Sequence, residues 1–148
     1  MTRIYSATHI NKPIDQVFDY VTTAGNWPKW HPSSLGVAGA IDRSGQPGEQ
    51  ITEKFLVAGR RGEAVWTVRE RQSPTRWVID GQVANSGSGG TITYTLTPQS
   101  GGTRFEREFV YHFRNPLFAL LDRFLLRPRV KAESDEALRR LKQVLEPQ

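Results

Sequence analysis

The chain has 148 residues, of which 37% are hydrophobic and 24% charged, and it carries a formal net charge of +5. That profile fits one folded domain and excludes a disordered chain or a bundle of membrane-spanning helices. It contains no cysteine, which excludes disulfides, thiolate metal sites and cysteine nucleophiles.

The pattern opens with a strand over residues 3–10, RIYSATHI. A helix is predicted to follow, with Asn11 as its cap and Pro13 in its first turn. Ile14, Val17, Phe18 and Val21 repeat at the spacing of one buried helical face. The segment GNWPKWHP (25–32) then places Trp27 and Trp30 on the same side of a single helical turn, which Pro32 ends.

From residue 35 to 113 the punctuation becomes regular. Turn signals at 44–48, 59–62, 73–74, 86–90 and 99–102 cut this stretch into six pieces, the rhythm of an antiparallel meander. In TITYTLT (91–97), Ile92, Tyr94 and Leu96 alternate with threonines and are predicted to face inward. In TRFEREFVYHF (103–113), Phe105, Arg107, Phe109, Tyr111 and Phe113 share one face, and Glu106, Glu108 and His112 share the other.

At Asn115 the period turns helical, with Asn115 as cap and Pro116 in the first turn. Leu117, Leu120, Leu121, Phe124 and Leu125 form one apolar stripe, and Leu138, Leu141 and Leu145 form another. Pro128 lies between them and predicts a kink or two consecutive helices. Residues 122–142 also hold Arg123, Arg127, Arg129, Lys131, Arg139, Arg140 and Lys142. These fit a solvated helix face, and they interleave with acids rather than forming a nucleic-acid motif, so no nucleic-acid partner is expected.

The order strand, short helices, six strands, long helix resembles the START-like superfamily, which includes the polyketide cyclase/dehydrase and lipid transport (SRPBCC) and Bet v 1-like proteins. The resemblance is carried by KPIDQVFDYVTTAGNWPKWHPS (12–33), VWTVRERQSPTRWVIDG (65–81), GGTITYTLTPQSGGTRFEREFVY (89–111) and the amphipathic C-terminal helix. It implies an α+β helix-grip fold over residues 1–148. A curved seven-stranded antiparallel sheet would wrap the long C-terminal helix, with two short helices after the first strand. It also implies a deep apolar cavity, since members bind lipids, hormones, quinones and aromatic polyketides and some catalyse cyclisation or dehydration.

Candidate ligand-binding residues follow from that cavity. Trp30 and His31 would form part of its rim, or Trp27 and Trp30 would instead wedge the short helices against the sheet. Phe55, Trp66, Trp77, Tyr94, Phe109 and Tyr111 would line it or simply pack the core. Phe118, Leu121 and Leu125 would close it from the C-terminal helix. Arg107 either clamps an acidic ligand oxygen, pairs with Glu53 or Glu70, or turns to solvent through a bulge. The Tyr94 and Tyr111 hydroxyls would orient a ligand or donate a proton.

His9, His31 and His112 lie far apart, and no metal or cofactor is expected. No residue is assigned a catalytic role. The expected function is binding or carriage of a small hydrophobic ligand, with a cyclase or dehydratase enzyme as the alternative. Membrane-surface association through LFALLDRFLLRPRVK (117–131) is a third reading. The N-terminus lacks a leader pattern, so a cytoplasmic protein without stable membrane insertion is expected, and a homodimer is compatible with the sequence.

Overall fold

The computed structural model describes residues 1–146. Seven strands form one antiparallel sheet in the order β1-β7-β6-β5-β4-β3-β2. They are β1 (Thr2–Ile10), β2 (Ser34–Gly39), β3 (Gln50–Val57), β4 (Arg60–Gln72), β5 (Arg76–Val83), β6 (Gly89–Gln99) and β7 (Gly102–His112). Strands β2 to β6 each pair with their successor, and β1 closes onto β7. This is the predicted meander. The β3–β4 turn, however, is Ala58–Gly59, so Arg60, Arg61 and Gly62 begin β4 rather than forming the turn.

Between β1 and β2 come α1 (Ile14–Thr22), a 3-10 turn (Ala24–Asn26) and α2 (Trp27–Trp30). Val17, Phe18 and Val21 of α1 are buried, as their spacing requires. Asn11 does not cap α1: Pro13 holds the cap position, and the Asn11 backbone N–H donates instead to Glu146 at 2.7 Å. A proline at that position fixes the backbone entering the first turn without any side-chain cap.

The C-terminal helical segment runs without a break from Pro116 to Leu145, as α3 (Pro116–Leu121), a π-helical turn (Asp122–Leu126) and α4 (Arg127–Leu145). Asn115 caps it, its side chain accepting from the Leu117 N–H at 2.8 Å. Pro128 neither breaks nor splits it. A proline lacks the N–H that would bond the carbonyl four residues back and its ring presses on that carbonyl, here Phe124. The preceding π turn widens the helix, with the Arg127 N–H reaching back five residues to Asp122.

That turn also changes the phase of the helix face. Counting at a constant α period places Leu125 toward the sheet, but Leu125 is 60% exposed. The extra residue in the wide turn brings in Leu126 and Val130 instead.

Helix α4 lies against β1 and α2. Leu138 and Leu141 join Phe18, Trp27, Trp30, Trp77 and Phe105 in the main core. Among the described residues, no helix is long and apolar enough to cross a membrane. The placement of the two leucines predicts different costs. Leu141→Ala should lower stability to urea by about 2–5 kcal/mol because it opens a cavity in the core. Leu125→Ala should change it by less than about 0.5 kcal/mol. Equal losses would contradict the phase shift at the π turn.

Candidate functional site

Room for a ligand arises where α4 stands away from the central strands. A cavity of about 360 Å³ lies between strands β3–β7 and the helix. Its inner walls are buried side chains, among them Trp30, Trp66, Ile92, Tyr94 and Arg107. Its exposed lining residues are Arg60, Arg61, Ala84, Ser86 and His112, so the mouth opens between the β3–β4 turn, the β5–β6 turn and the end of β7.

Two glycines make the apolar walls possible. Trp66 lies over Gly81, its cross-strand partner, where a Cβ would come within 2.5 Å of the indole. Phe55 lies over Gly62 in the same way, and a Cβ there would come within 2.4 Å of its ring. Any side chain at either glycine would push an aromatic ring into the cavity.

The β3–β4 turn at the mouth is tied to α4. Both Ala58 and Gly59 have positive φ, 49° and 81°, as a two-residue hairpin turn demands. The Ala58 N–H donates to the Glu133 carboxylate at 3.1 Å, and Arg129 donates to the Ala58 carbonyl at 2.9 Å.

Arg107 is the electrostatic centre of the cavity. The β6–β7 ladder is unbroken, with Tyr94 opposite Arg107, so no bulge turns the side chain outward. It is only 6% exposed. One guanidinium nitrogen donates to Ser134 Oγ at 3.1 Å, and the buried Nε has no partner.

Neither carboxylate considered for it from the sequence pairs with it. Glu70 binds Arg76 at 3.2 Å on the outer face, and Glu53 accepts from Trp66 Nε1 at 3.0 Å. Trp30, which lines the same cavity, carries a second buried donor without a partner among the described residues, its Nε1–H.

Three further groups set the proton inventory. The Ser33 N–H donates to His31 Nδ1 at 3.0 Å, so the neutral ring carries its proton on Nε2. Burial, and then the positive charges of Arg107 and Arg140, hold the His31 pKa well below its usual value. Burial pushes the Tyr94 phenol up to about 12, with Arg107 opposing. Burial also raises the carboxyl of Glu53, while Trp66 and the charge of Arg107 oppose it. The cavity thus presents a cation and several donors, with Glu53 and Glu133 as its carboxylates.

The structure gathers Trp30, His31, Phe55, Trp66, Tyr94, Arg107, Phe109, Tyr111 and Phe118 along this cavity and leaves three expected residues outside it. Trp77 is fully buried between Trp27 and Tyr94, and its Nε1–H is used by the Gly45 carbonyl at 3.0 Å. Leu121 and Leu125 lie off the wall, the second because of the π turn.

Trp30 belongs to the inner wall rather than the rim, because it packs on Tyr94 and Phe105 with ring centroids 6.3 Å away in each case. The Tyr111 hydroxyl is committed to Asp122, which also takes the Thr2 hydroxyl, so only the ring faces the cavity. Glu53, Leu126, Glu133 and Ser134 were missed as lining residues. Ser134 was within reach of pattern reasoning, since it sits one turn before Leu138 on the buried stripe.

This sheet wrapped around a terminal helix, with a cavity between them, is the helix-grip fold. Residues 1–146 match the family described as polyketide cyclase / dehydrase and lipid transport, and the chain belongs to that family. It is 36% identical over 112 residues to penitrem biosynthesis cluster 1 protein I of Penicillium ochrochloron, covering 68% of this chain and 70% of that one.

Two solved structures share the fold at low identity. TTHA0849 from Thermus thermophilus superposes with a TM-score of 0.80 at 12% identity, over 97% of both chains. Ara h 8.0201 does so with a TM-score of 0.65 at 13% identity, again over 97% of both.

The low pKa of His31 has a consequence for stability. Below the unfolded value near 6.5, the denatured chain takes up a proton at this ring that the folded chain does not. The group therefore contributes stability above that pH and loses it as pH falls. Nitrogen chemical shifts should show His31 still neutral, with its proton on Nε2, at about pH 6. Wild type should also lose more stability than His31→Gln between about pH 7 and pH 5. A ring that titrates near 6.5 would contradict its placement.

Proposed function

We propose that the protein binds a small, mostly apolar molecule in this cavity and holds one acidic or carbonyl oxygen of it at Arg107. The observation that carries the reading is the Arg107 guanidinium, which is buried and, among the described residues, has no carboxylate at ion-pair distance and an unpaired Nε–H. A buried cation with unused donors is costly to a folded chain, and a ligand oxygen relieves that cost. The aromatic walls suit a flat ring system, and a volume of about 360 Å³ suits a small one. The relative from a penitrem biosynthesis cluster supports a natural-product ligand.

A second reading, cyclisation or dehydration of a polyketide, is favoured by Glu53. This carboxyl lines the same cavity and burial raises its pKa, the direction that favours a group that takes and returns a proton. In that case Arg107 would stabilise charge on a carbonyl oxygen while Glu53 takes or returns the proton.

Naphthoate and methylnaphthalene separate the parts of the claim, with quenching of tryptophan fluorescence as readout. Both should bind wild type. Arg107→Met should weaken naphthoate about tenfold to a hundredfold, the value of a hydrogen bond to a charged group, and leave methylnaphthalene within about threefold. Failure of both probes to bind would overturn the cavity reading. Unchanged naphthoate binding in the variant would overturn the role of Arg107.

A further inference from the structure

Helix α3 and the π turn carry an apolar face that nothing among the described residues covers. Leu117, Leu120, Phe124 and Leu125 are 61%, 57%, 67% and 60% exposed. Four large side chains in nine residues exceed the scattered exposure of an ordinary soluble surface.

The charges around this face are mostly basic, although Arg127 lies 3.8 Å from Asp122 and Lys131 is paired with Asp135 at 2.7 Å. From 114 to 131 the charged residues are Arg114, Arg123, Arg127, Arg129 and Lys131 against Asp122 alone, and Asp122 is buried against Thr2 and Tyr111. Arg60, from the cavity mouth, stacks over Phe118 with its guanidinium 4.1 Å from the ring centroid. Arg114 packs beside Gly87 in the β5–β6 turn at the same mouth.

We propose that this face docks the protein on an anionic lipid surface, with the cavity mouth beside the contact. The apolar side chains enter the boundary between headgroups and acyl chains, and the surrounding arginines meet the lipid phosphates. A second copy of the chain fits worse, because a two-fold contact would bring two predominantly basic rims, Arg114 and Arg123 among them, toward each other. Nucleic acid fits worse as well, since a phosphate backbone leaves Leu117, Leu120, Phe124 and Leu125 uncovered. The proposal goes beyond ligand binding and does not depend on it.

The test is co-sedimentation with phosphatidylcholine vesicles, prepared with and without phosphatidylglycerol. Wild type should bind the anionic vesicles at low salt and release as salt rises. Phe124→Ser with Leu125→Ser should weaken binding at least about tenfold by removing apolar insertion. Arg123→Glu should weaken it about fivefold or more. All these positions are exposed, so thermal melting and naphthoate uptake should stay at wild-type values.

Three results would each overturn the proposal. One is absence of binding to anionic vesicles at low salt. Another is binding unmoved by the double substitution. The third is a wild type dimeric by light scattering whose double variant is monomeric, which would assign the face to a second copy.

Discussion

A guanidinium placed in an apolar interior has to be answered by something, and at Arg107 the protein answers it only in part. The side chain is buried, Ser134 takes one donor, and the cavity carboxylates Glu53 and Glu133 are engaged by Trp66 and by the Ala58 N–H. The rest of the site arranges itself around that charge. It opposes the burial of the Tyr94 phenol and of Glu53, and it helps keep His31 neutral. A cation that organises its surroundings without being neutralised by them is suited to a partner that comes and goes.

The cavity survives because the chain keeps two sets of elements apart. Leu138 and Leu141 seal one end of the helix onto the Trp27, Trp30 and Phe105 core. At the other end the hairpin turn at Ala58 is tied to Glu133 and Arg129. Thr2 and Tyr111 hold the π turn through Asp122. Between these fixings Gly62 and Gly81 let Phe55 and Trp66 lie flat on the sheet, so the space is walled rather than filled. Collapse of the helix onto the central strands would require breaking the half-buried polar contacts that tie Ala58 to Glu133 and Arg129 at the mouth.

Much of the architecture was legible because alternation and turn signals are local. The strict alternation of residues 91–97 and 103–113 placed Tyr94 and Arg107 on the inner face, and the ladder between β6 and β7 has no bulge to spoil it. What resisted reading depends on distant atoms. The orphan donors of Arg107 and Trp30 reflect which groups failed to reach them, and spacing along a chain cannot report that.

The fate of Leu125 depended on how the helix accommodates Pro128, and the π turn was one of several backbone solutions. Trp77 had the composition of a cavity wall, but the Gly45 carbonyl drew its indole to the far side of Tyr94. Likewise, the Tyr111 hydroxyl was claimed by an aspartate that sequence patterning assigned no role.

The central claim is that Arg107 holds a ligand oxygen. Native mass spectrometry of the freshly purified protein, followed by solvent extraction, tests it most directly. The account predicts a one-to-one adduct that is largely apolar, carries an acidic or carbonyl oxygen, and is lost from Arg107→Met. An adduct without any oxygen acceptor, or one retained equally by the variant, would contradict it.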